Sequence, residues 1–225
     1  MNINIKTTTN VEDEARCVAE IIIKKLSEGK KVLFFITGGS SVAVGVEVAK
    51  LIKNRPLDNL TVMMTDERYG PLGHPDSNWY QHIQKGFELP GATIISILTG
   101  DDIEKTTEKF NLVLNSELGK DQYKIGLFGV GKDGHTAGNL PGSIAVESKD
   151  FASHYDTPAF SRITMTPLAI QKLDEAVVWM QGQEKWVVVK DLIENDIEII
   201  KQPAQILKKV PLLTIFTDYK KDLSR

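Results

Sequence analysis

The stretch VLFFITGGSSV, residues 32–42, decides the fold class of this 225-residue chain. Its first five residues are apolar without interruption, which is typical of a strand that is buried on both faces of a parallel sheet. A turn rich in glycine and serine follows, and residues 40–53 then show a helical pattern that ends before Asn54 and Pro56. The stretch therefore predicts a strand–loop–helix unit of an α/β protein.

The same pattern repeats along the chain. Five more short runs are apolar on both faces: residues 60–64, 92–98, 125–128, 176–180 and 212–216. Further helical patterns lie between them: residues 11–28, 103–118 and 182–195. Residues 162–166 differ, because their apolar and polar side chains alternate, which indicates a strand with one wet or functional face. Alternating strands and helices predict an open, mostly parallel sheet flanked by helices in an α/β/α layered, Rossmann-like arrangement, and we expect a single domain over residues 1–225.

Composition and charge argue against several classes of protein. A net charge of −3 and a pI of about 5.9 disfavour a nucleic-acid-binding surface. No apolar run approaches the roughly 18 residues of a membrane span, and the first ten residues lack the features of a signal peptide. Cys17 is the only cysteine. We expect it to be buried and unreactive, and the protein to reside in the reducing cytoplasm.

The first candidate site is the turn after the strand at residues 32–36. Gly38 and Gly39 let backbone amides approach an anion, while Ser40 and Ser41 add hydroxyl groups at a helix N-terminus. This arrangement predicts a phosphate site at the carboxyl end of a strand, where open α/β sheets bind ligands. An ordinary strand–helix turn with a serine cap is the alternative. The turn lacks the lysine of a P-loop, so it does not imply ATP.

A second glycine-rich segment, GVGKDGHTAGNLPGS, covers residues 129–143 and follows another predicted strand. Its glycines formally match a dinucleotide-binding fingerprint, but the helix that this motif requires is interrupted by further glycines and a proline. What remains is a flexible loop that carries Asp133 and His135. The Asp133 carboxylate is close enough in sequence to fix the tautomer of His135, and histidine is well suited to accept a proton near neutral pH.

Three more charged positions are candidates. TDER, residues 65–68, places Asp66 and Arg68 at the carboxyl end of a strand, with a solvated turn as the alternative. Arg162 lies on the polar face of its predicted strand. Lys185 lies in the first turn of a predicted helix, where a cation opposes the helix dipole, so a bound anion nearby would explain its presence. A solvated surface lysine is the alternative. His74, His82 and His154 lack the spacing of metal ligands, and the chain has no cysteine–histidine cluster, so we expect no metal.

Taken in chain order, these segments resemble the 6-phosphogluconolactonase and glucosamine-6-phosphate deaminase superfamily. The resemblance rests on TGGSSV, TDER, HPDSNW, the DGHTA loop with PGS, SRITMT and the lysine of GQEK, and it covers most of the chain. It implies a mostly parallel sheet with a pocket at the carboxyl ends of its strands. The implied ligand is a phosphorylated sugar, and the implied chemistry requires neither a cofactor nor a metal.

Within that superfamily the loop favours the lactonases. Deaminases resemble DGHxxFNEPGS, with a glutamate before the proline, whereas this chain has Leu140 there, which cannot transfer a proton. Gly138 and Asn139 stand where lactonases tend to have serine and leucine. The resemblance thus implies hydrolysis of 6-phosphogluconolactone in the oxidative branch of the pentose phosphate pathway, by a monomer or small homo-oligomer. A deaminase that uses Asp66 as its base and a non-catalytic sugar-phosphate-binding domain remain alternatives.

The implied roles of the residues follow from the same resemblance. His135 would activate water, Asp133 would orient His135, and Asp66 would position water or a sugar hydroxyl. The phosphate would be bound by a larger set of residues: Gly38, Gly39, Ser40, Ser41, Arg68, Arg162 and Lys185.

Overall fold

The computed structural model describes residues 2–220. Its strands are β1 Asn2–Thr7, β2 Val32–Ile36, β3 Leu60–Met64, β4 Asp66–Arg68, β5 Thr93–Ile95, β6 Tyr123–Gly129, β7 Ala152–Asp156, β8 Ser161–Met165, β9 Glu175–Met180 and β10 Leu212–Thr217. Its α-helices are α1 Val11–Ser27, α2 Val42–Ile52, α3 Asn78–Gln84, α4 Ile103–Gly119, α5 Ile144–Glu147, α6 Pro167–Ile170 and α7 Trp186–Glu194. Three 3₁₀ segments complete the described elements: Gly39–Ser41, Gln183–Lys185 and Pro203–Lys209.

Seven strands form a parallel sheet in the order β1-β10-β9-β6-β2-β3-β5. The chain builds outward from β2 through β3 to β5, and it then returns to the other side of β2 with β6. The connections that leave β2 and β6 therefore run in opposite directions. This is a topological switch point, where a crevice opens beyond the carboxyl ends of neighbouring strands.

The predicted fold class is confirmed, and most predicted strands coincide with observed ones. β2 and β9 are buried along their whole length, as their uninterrupted apolar runs indicated. The strand predicted over residues 92–98 was wrong in extent and in burial. Only Thr93–Ile95 form a strand, and this edge strand is largely exposed. β1 was missed because asparagine, lysine and threonine interrupt its isoleucines, so this largely exposed edge strand shows no apolar run.

A separate antiparallel sheet in the order β4-β8-β7 lies beside the main sheet. β8 is the strand that the alternating pattern of residues 162–166 predicted. Its registration with β4 places Asp66 opposite Thr164 and Arg68 opposite Arg162. The small sheet therefore brings the charged TDER turn against the polar side chains of β8.

Most of the buried hydrophobic residues of the described chain form one cluster, which includes residues of both sheets. Asn10 caps α1 by accepting a hydrogen bond from the backbone N–H of Glu12, and Gly29 ends the helix with φ of +74°, as its sequence predicted. No helix of residues 2–220 is long and apolar enough to cross a membrane. Cys17 is only partly buried, contrary to expectation, but burial raises the pKa of its thiol, which disfavours the reactive thiolate.

Candidate active site

A cavity of ≈ 310 Å³ opens at the switch point between β2 and β6. Residues from five segments line it: the turn after β2, β4, the start of α3, the end of β6 with the loop that follows it, and β8. The lining consists of Thr37, Gly38, Gly39, Ser40, Asp66, Arg68, Asn78, Gly129, Val130, Gly131, His135, Ala137 and Arg162. Segments separated by more than 100 residues thus converge on one polar cavity.

The turn after β2 contributes backbone and hydroxyl groups. Gly39 has φ of +65°, a conformation that glycine adopts with little strain. Gly38 lies so close to the side chain of Asn78 that a Cβ atom would overlap with it. The 3₁₀ turn Gly39–Ser41 leads directly into α2, so the positive end of that helix dipole lies beside the cavity. Ser41 differs from its neighbours, because it is buried beneath Gly129 and is absent from the described lining.

His135 and Asp133 form a hydrogen-bonded pair on the loop after β6. The imidazole Nδ1 lies 2.5 Å from the Asp133 Oδ1, which also accepts the backbone N–H of His135 at 3.2 Å. Gly131 makes room for both side chains, because a Cβ at this position would overlap with them. A carboxylate at Nδ1 favours the tautomer with the proton on Nδ1, which leaves Nε2 as the acceptor nitrogen.

The charge of Asp133 is set by opposing effects. Partial burial raises the pKa of its carboxyl group, but the nearby His135 charge and the hydrogen bonds from His135 outweigh this and lower the pKa overall. The side chains of His135 and Asp133 are 34% and 46% exposed, so the pair is accessible to water and ligands. Asp133 therefore remains an ionised acceptor that holds the imidazole in place.

Asp66 is surrounded by hydrogen-bond donors. Its Oδ1 accepts the hydroxyl groups of Thr65 at 2.8 Å and Thr37 at 3.3 Å. Its Oδ2 lies 3.4 Å from the amide nitrogen of Asn78 and 3.9 Å from a guanidinium nitrogen of Arg162. These donors fix the orientation of the Asp66 carboxylate at the edge of the cavity.

Arg68 and Arg162 are direct cross-strand neighbours. Like charges in this position destabilise a sheet. Their Cζ atoms lie 4.7 and 5.4 Å from the centroid of the Phe160 ring, and the Nε of each is buried without a hydrogen-bond partner among the described residues. Two cations at one cavity with few hydrogen-bond partners have the chemistry that suits an anionic ligand.

Glu67, the third charge of the TDER turn, has a structural role that the sequence did not reveal. Its carboxylate accepts the backbone N–H groups of Asn78 at 2.5 Å and Trp79 at 3.0 Å, and the hydroxyl of Ser77 at 3.0 Å. Burial raises the pKa of Glu67, although these hydrogen bonds oppose the shift. The residue anchors the start of α3 and thereby holds Asn78 at the cavity.

Lys185 is not among the residues that line the cavity within the described chain. It ends the 3₁₀ turn Gln183–Lys185 and immediately precedes α7, so a cation does stand at this helix N-terminus as predicted. Burial lowers its pKa, while Glu184 and Asp218 act in the opposite direction. Its assignment to the phosphate stays a prediction.

The unusual loop residues Gly138 and Asn139 serve the packing of the loop against β8. A Cβ at Gly138 would lie 2.7 Å from the Cβ of Thr164, whose hydroxyl accepts the Gly138 N–H at 2.9 Å. The buried amide of Asn139 donates to the carbonyl group of Met165 at 2.9 Å. Leu140, which replaces the deaminase glutamate, is absent from the described lining of the cavity.

Sequence reasoning did not assign a role to Asn78 or Thr37, although both line the cavity. The only signal for Asn78 was its place in HPDSNW shortly after the charged turn, and Thr37 simply precedes the glycines. The described residues contain no group of histidine, cysteine or carboxylate side chains arranged to hold a metal ion.

Comparison with known proteins identifies relatives of this chain. A family model described as "Glucosamine-6-phosphate isomerases/6-phosphogluconolactonase" matches residues 7–214. The 6-phosphogluconolactonase of Borreliella burgdorferi is 27% identical over 202 residues, which cover 84% of this chain and 84% of that protein. The glucosamine-6-phosphate deaminase of Lactobacillus johnsonii is 25% identical over 232 residues, covering 95% and 93%.

Among solved structures, the 6-phosphogluconolactonase of Thermotoga maritima matches with a TM-score of 0.82 and 21% identity, covering 96% of this chain and 98% of that one. This likeness shows the shared fold. The family match spans nearly the whole chain and includes the glycine turn, the charged turn and the histidine loop. The chain therefore belongs to the family of glucosamine-6-phosphate isomerases and 6-phosphogluconolactonases.

Proposed function

We propose that this protein hydrolyses 6-phosphogluconolactone to 6-phosphogluconate, with His135 as the general base. One observation carries the proposal: His135, whose Nδ1 is held by Asp133, lines the same cavity as Arg68 and Arg162. An imidazole beside two cations suits a substrate that has both a reactive carbonyl group and a phosphate. The similarity to 6-phosphogluconolactonases over most of the chain supports the same substrate.

The phosphate binds at the arginines and the turn after β2. The guanidinium groups of Arg68 and Arg162 offer directional donors, and a doubly charged phosphate relieves their mutual repulsion. Gly38, Gly39 and Ser40 add amides and a hydroxyl at the start of α2. Binding energy at this remote group orients the lactone carbonyl beside His135. We assign Ser41 to support of the turn, and Lys185 to long-range attraction of the phosphate.

In the chemical step, Nε2 of His135 removes a proton from water as the oxygen of that water bonds to the lactone carbonyl carbon. The carbonyl oxygen becomes an oxyanion, for which amides of the loop after β6 are candidate donors, because this loop lines the cavity. The intermediate then collapses, the bond from the carbonyl carbon to the ring oxygen breaks, and the imidazolium returns its proton to that oxygen. Asp133 stabilises the imidazolium throughout. The product is the open-chain acid.

Asp66 fits this scheme better than it fits the deaminase mechanism. Its Oδ1 already accepts two hydroxyl groups and its Oδ2 lies near Arg162, so the carboxylate oxygens are occupied by protein donors and are not free to take a proton from a substrate carbon. In the lactonase it holds Arg162 and presents a charge to water or a sugar hydroxyl. Leu140 supplies no proton for ring opening. Both features favour lactone hydrolysis over deamination, despite the similarity to deaminases.

The direct test follows acid release from freshly prepared 6-phosphogluconolactone and ammonia release from glucosamine 6-phosphate. We expect acid release well above the spontaneous rate and no ammonia. Ammonia release would instead assign the chain to the deaminases. Tight binding of both sugar phosphates without turnover of either would make it a binding protein.

A matched pair of variants tests the base. His135→Ala should lower kcat by at least about a hundredfold, since general-base catalysis contributes this much or more. His154→Ala removes a partly buried histidine of β7 and should leave kcat unchanged. Near-normal turnover by His135→Ala would remove His135 from its role.

The role of Lys185 has its own test. Lys185→Ala should raise KM for the phosphorylated lactone and leave kcat nearly unchanged, because a point charge near the phosphate acts on binding alone. An unchanged KM would show that Lys185 does not attract the phosphate.

A further inference from the structure

Phe160 stands beside the two cavity arginines without lining the cavity itself. It follows the tight turn between β7 and β8 and immediately precedes β8. The Cζ atoms of Arg68 and Arg162 lie 4.7 and 5.4 Å from its ring centroid. The residues of the described chain that line the cavity include both arginines but not Phe160.

The contact with the Phe160 ring matters because the other contacts of the two guanidinium groups are weak. They face each other across β4 and β8, so their charges repel. The Nε atoms of both are buried without partners among the described residues. Arg68 donates to the Asp76 carbonyl at 3.3 Å, and Arg162 reaches Asp66 only at 3.9 Å. These contacts are long, so they fix neither guanidinium firmly.

An aromatic ring supplies what is missing. Its negative face attracts a cation within about 6 Å of the centroid, and it does so without using any of the guanidinium N–H groups. Hydrogen-bonding partners would occupy the donors that a phosphate needs. A ring shared by two arginines therefore holds both in place and leaves their donors free for the ligand.

We propose that Phe160 is a positioning residue that holds Arg68 and Arg162 as a paired clamp for the phosphate group of the substrate. The proposal rests on the function proposed above in its choice of substrate. It concerns binding only, so it can be tested without turnover.

The substitution Phe160→Leu removes the π face and keeps an apolar side chain. The turn should survive, because it is held by the Phe160 backbone, whose carbonyl accepts from the Thr157 N–H and hydroxyl and whose N–H donates to that hydroxyl. Phe160→Tyr keeps the ring. Phe151→Leu is the matched control, since Phe151 immediately precedes β7 and packs against the hydrophobic core instead.

Calorimetry would measure the dissociation constants of 6-phosphogluconate and of inorganic phosphate for the four proteins. We expect Phe160→Leu to raise both constants roughly tenfold, the size of a partly desolvated cation–π contribution. Phe160→Tyr and Phe151→Leu should remain within about twofold of the wild type. In an assay with the phosphorylated lactone, Phe160→Leu should show the same loss of binding as a raised KM with unchanged kcat.

Two results would overturn the proposal. One is a Phe160→Leu variant that binds inorganic phosphate as tightly as the wild type. The other is an equal weakening by Phe151→Leu, which would show a general effect of packing. If the wild type fails to hydrolyse the lactone but phosphate binding still depends on the ring at position 160, the proposed function fails and this inference stands.

Discussion

His82 makes the stability of this protein depend on pH in a predictable way. The side chain is fully buried in α3, and its Nε2 donates a hydrogen bond to the Thr37 carbonyl at 2.9 Å. Its Nδ1 is buried without a hydrogen-bond partner among the described residues, and the ring packs edge-on against Phe87 and close to Gly45. Burial lowers the pKa of His82 to about 4, and the positive charge of Lys85 adds to this effect.

The size of the effect follows from the difference between the folded and unfolded states. In the unfolded chain the pKa of histidine is about 6.5. Between pH 6.5 and 4 the unfolded state therefore binds more protons than the folded state, so the free energy of unfolding falls as the pH falls through this window. Linkage gives a loss of about 2 kcal/mol between pH 7 and pH 5 from His82 alone.

Urea denaturation at pH 7 and pH 5 measures this loss, with His82→Gln as the comparison. Glutamine retains an N–H donor for the Thr37 carbonyl and does not titrate. Since all other titrating groups are shared, the difference between the two proteins isolates His82. The wild type should lose about 2 kcal/mol more than the variant. An equal loss in both proteins would refute the reasoning and show that His82 is accessible to protons in the folded state.

Four further predictions concern the site and its support. Asp133→Asn should lower kcat at least about tenfold in a lactonase assay, because a neutral amide cannot stabilise the imidazolium; an unchanged kcat would contradict the pair. Gly38→Ala should raise KM, since its Cβ displaces Asn78; a crystal structure of the variant would show the shift. Glu67→Gln should lower the free energy of unfolding by about 1–3 kcal/mol in urea, because its amide group opposes the donors at the start of α3. Burial raises the pKa of the unpartnered Glu14, so the contribution of this group to the free energy of unfolding falls as the pH rises; between pH 5 and pH 8 in urea, Glu14→Met should therefore gain more stability, or lose less, than the wild type, and an identical change in both proteins would contradict this.

Sequence patterns were sufficient for the central part of the fold. β2 and β3 were predicted to the residue, because central strands of a parallel sheet are buried on both faces and show this as unbroken apolar runs. Edge strands were predicted less well. β1 was missed because polar residues interrupt its isoleucines, whereas β5 was predicted too long because Ile97 and Leu98 are buried beyond the end of the strand.

The candidate site was predicted to a similar extent. Glycine, serine, histidine and aspartate at strand ends indicate a site by their chemistry, and Gly38, Gly39, Ser40, Asp66, Arg68, His135 and Arg162 do meet at one cavity. Their assigned roles stay predictions. Sequence spacing could not separate Asp66 from Glu67, which are adjacent in the chain, although one faces the cavity and the other caps α3.

The layered α/β class and the local chemistry of each loop follow from the amino-acid sequence alone, because burial periodicity and glycine-rich turns are short-range properties. Which loops meet depends instead on how the folded elements pack. The pairing of Arg68 with Arg162, the contact of both with Phe160, and the donors around Asp66 arise from strand registration between distant segments. Such contacts depend on how strands that are distant in sequence pair with each other, so a local sequence pattern does not predict them.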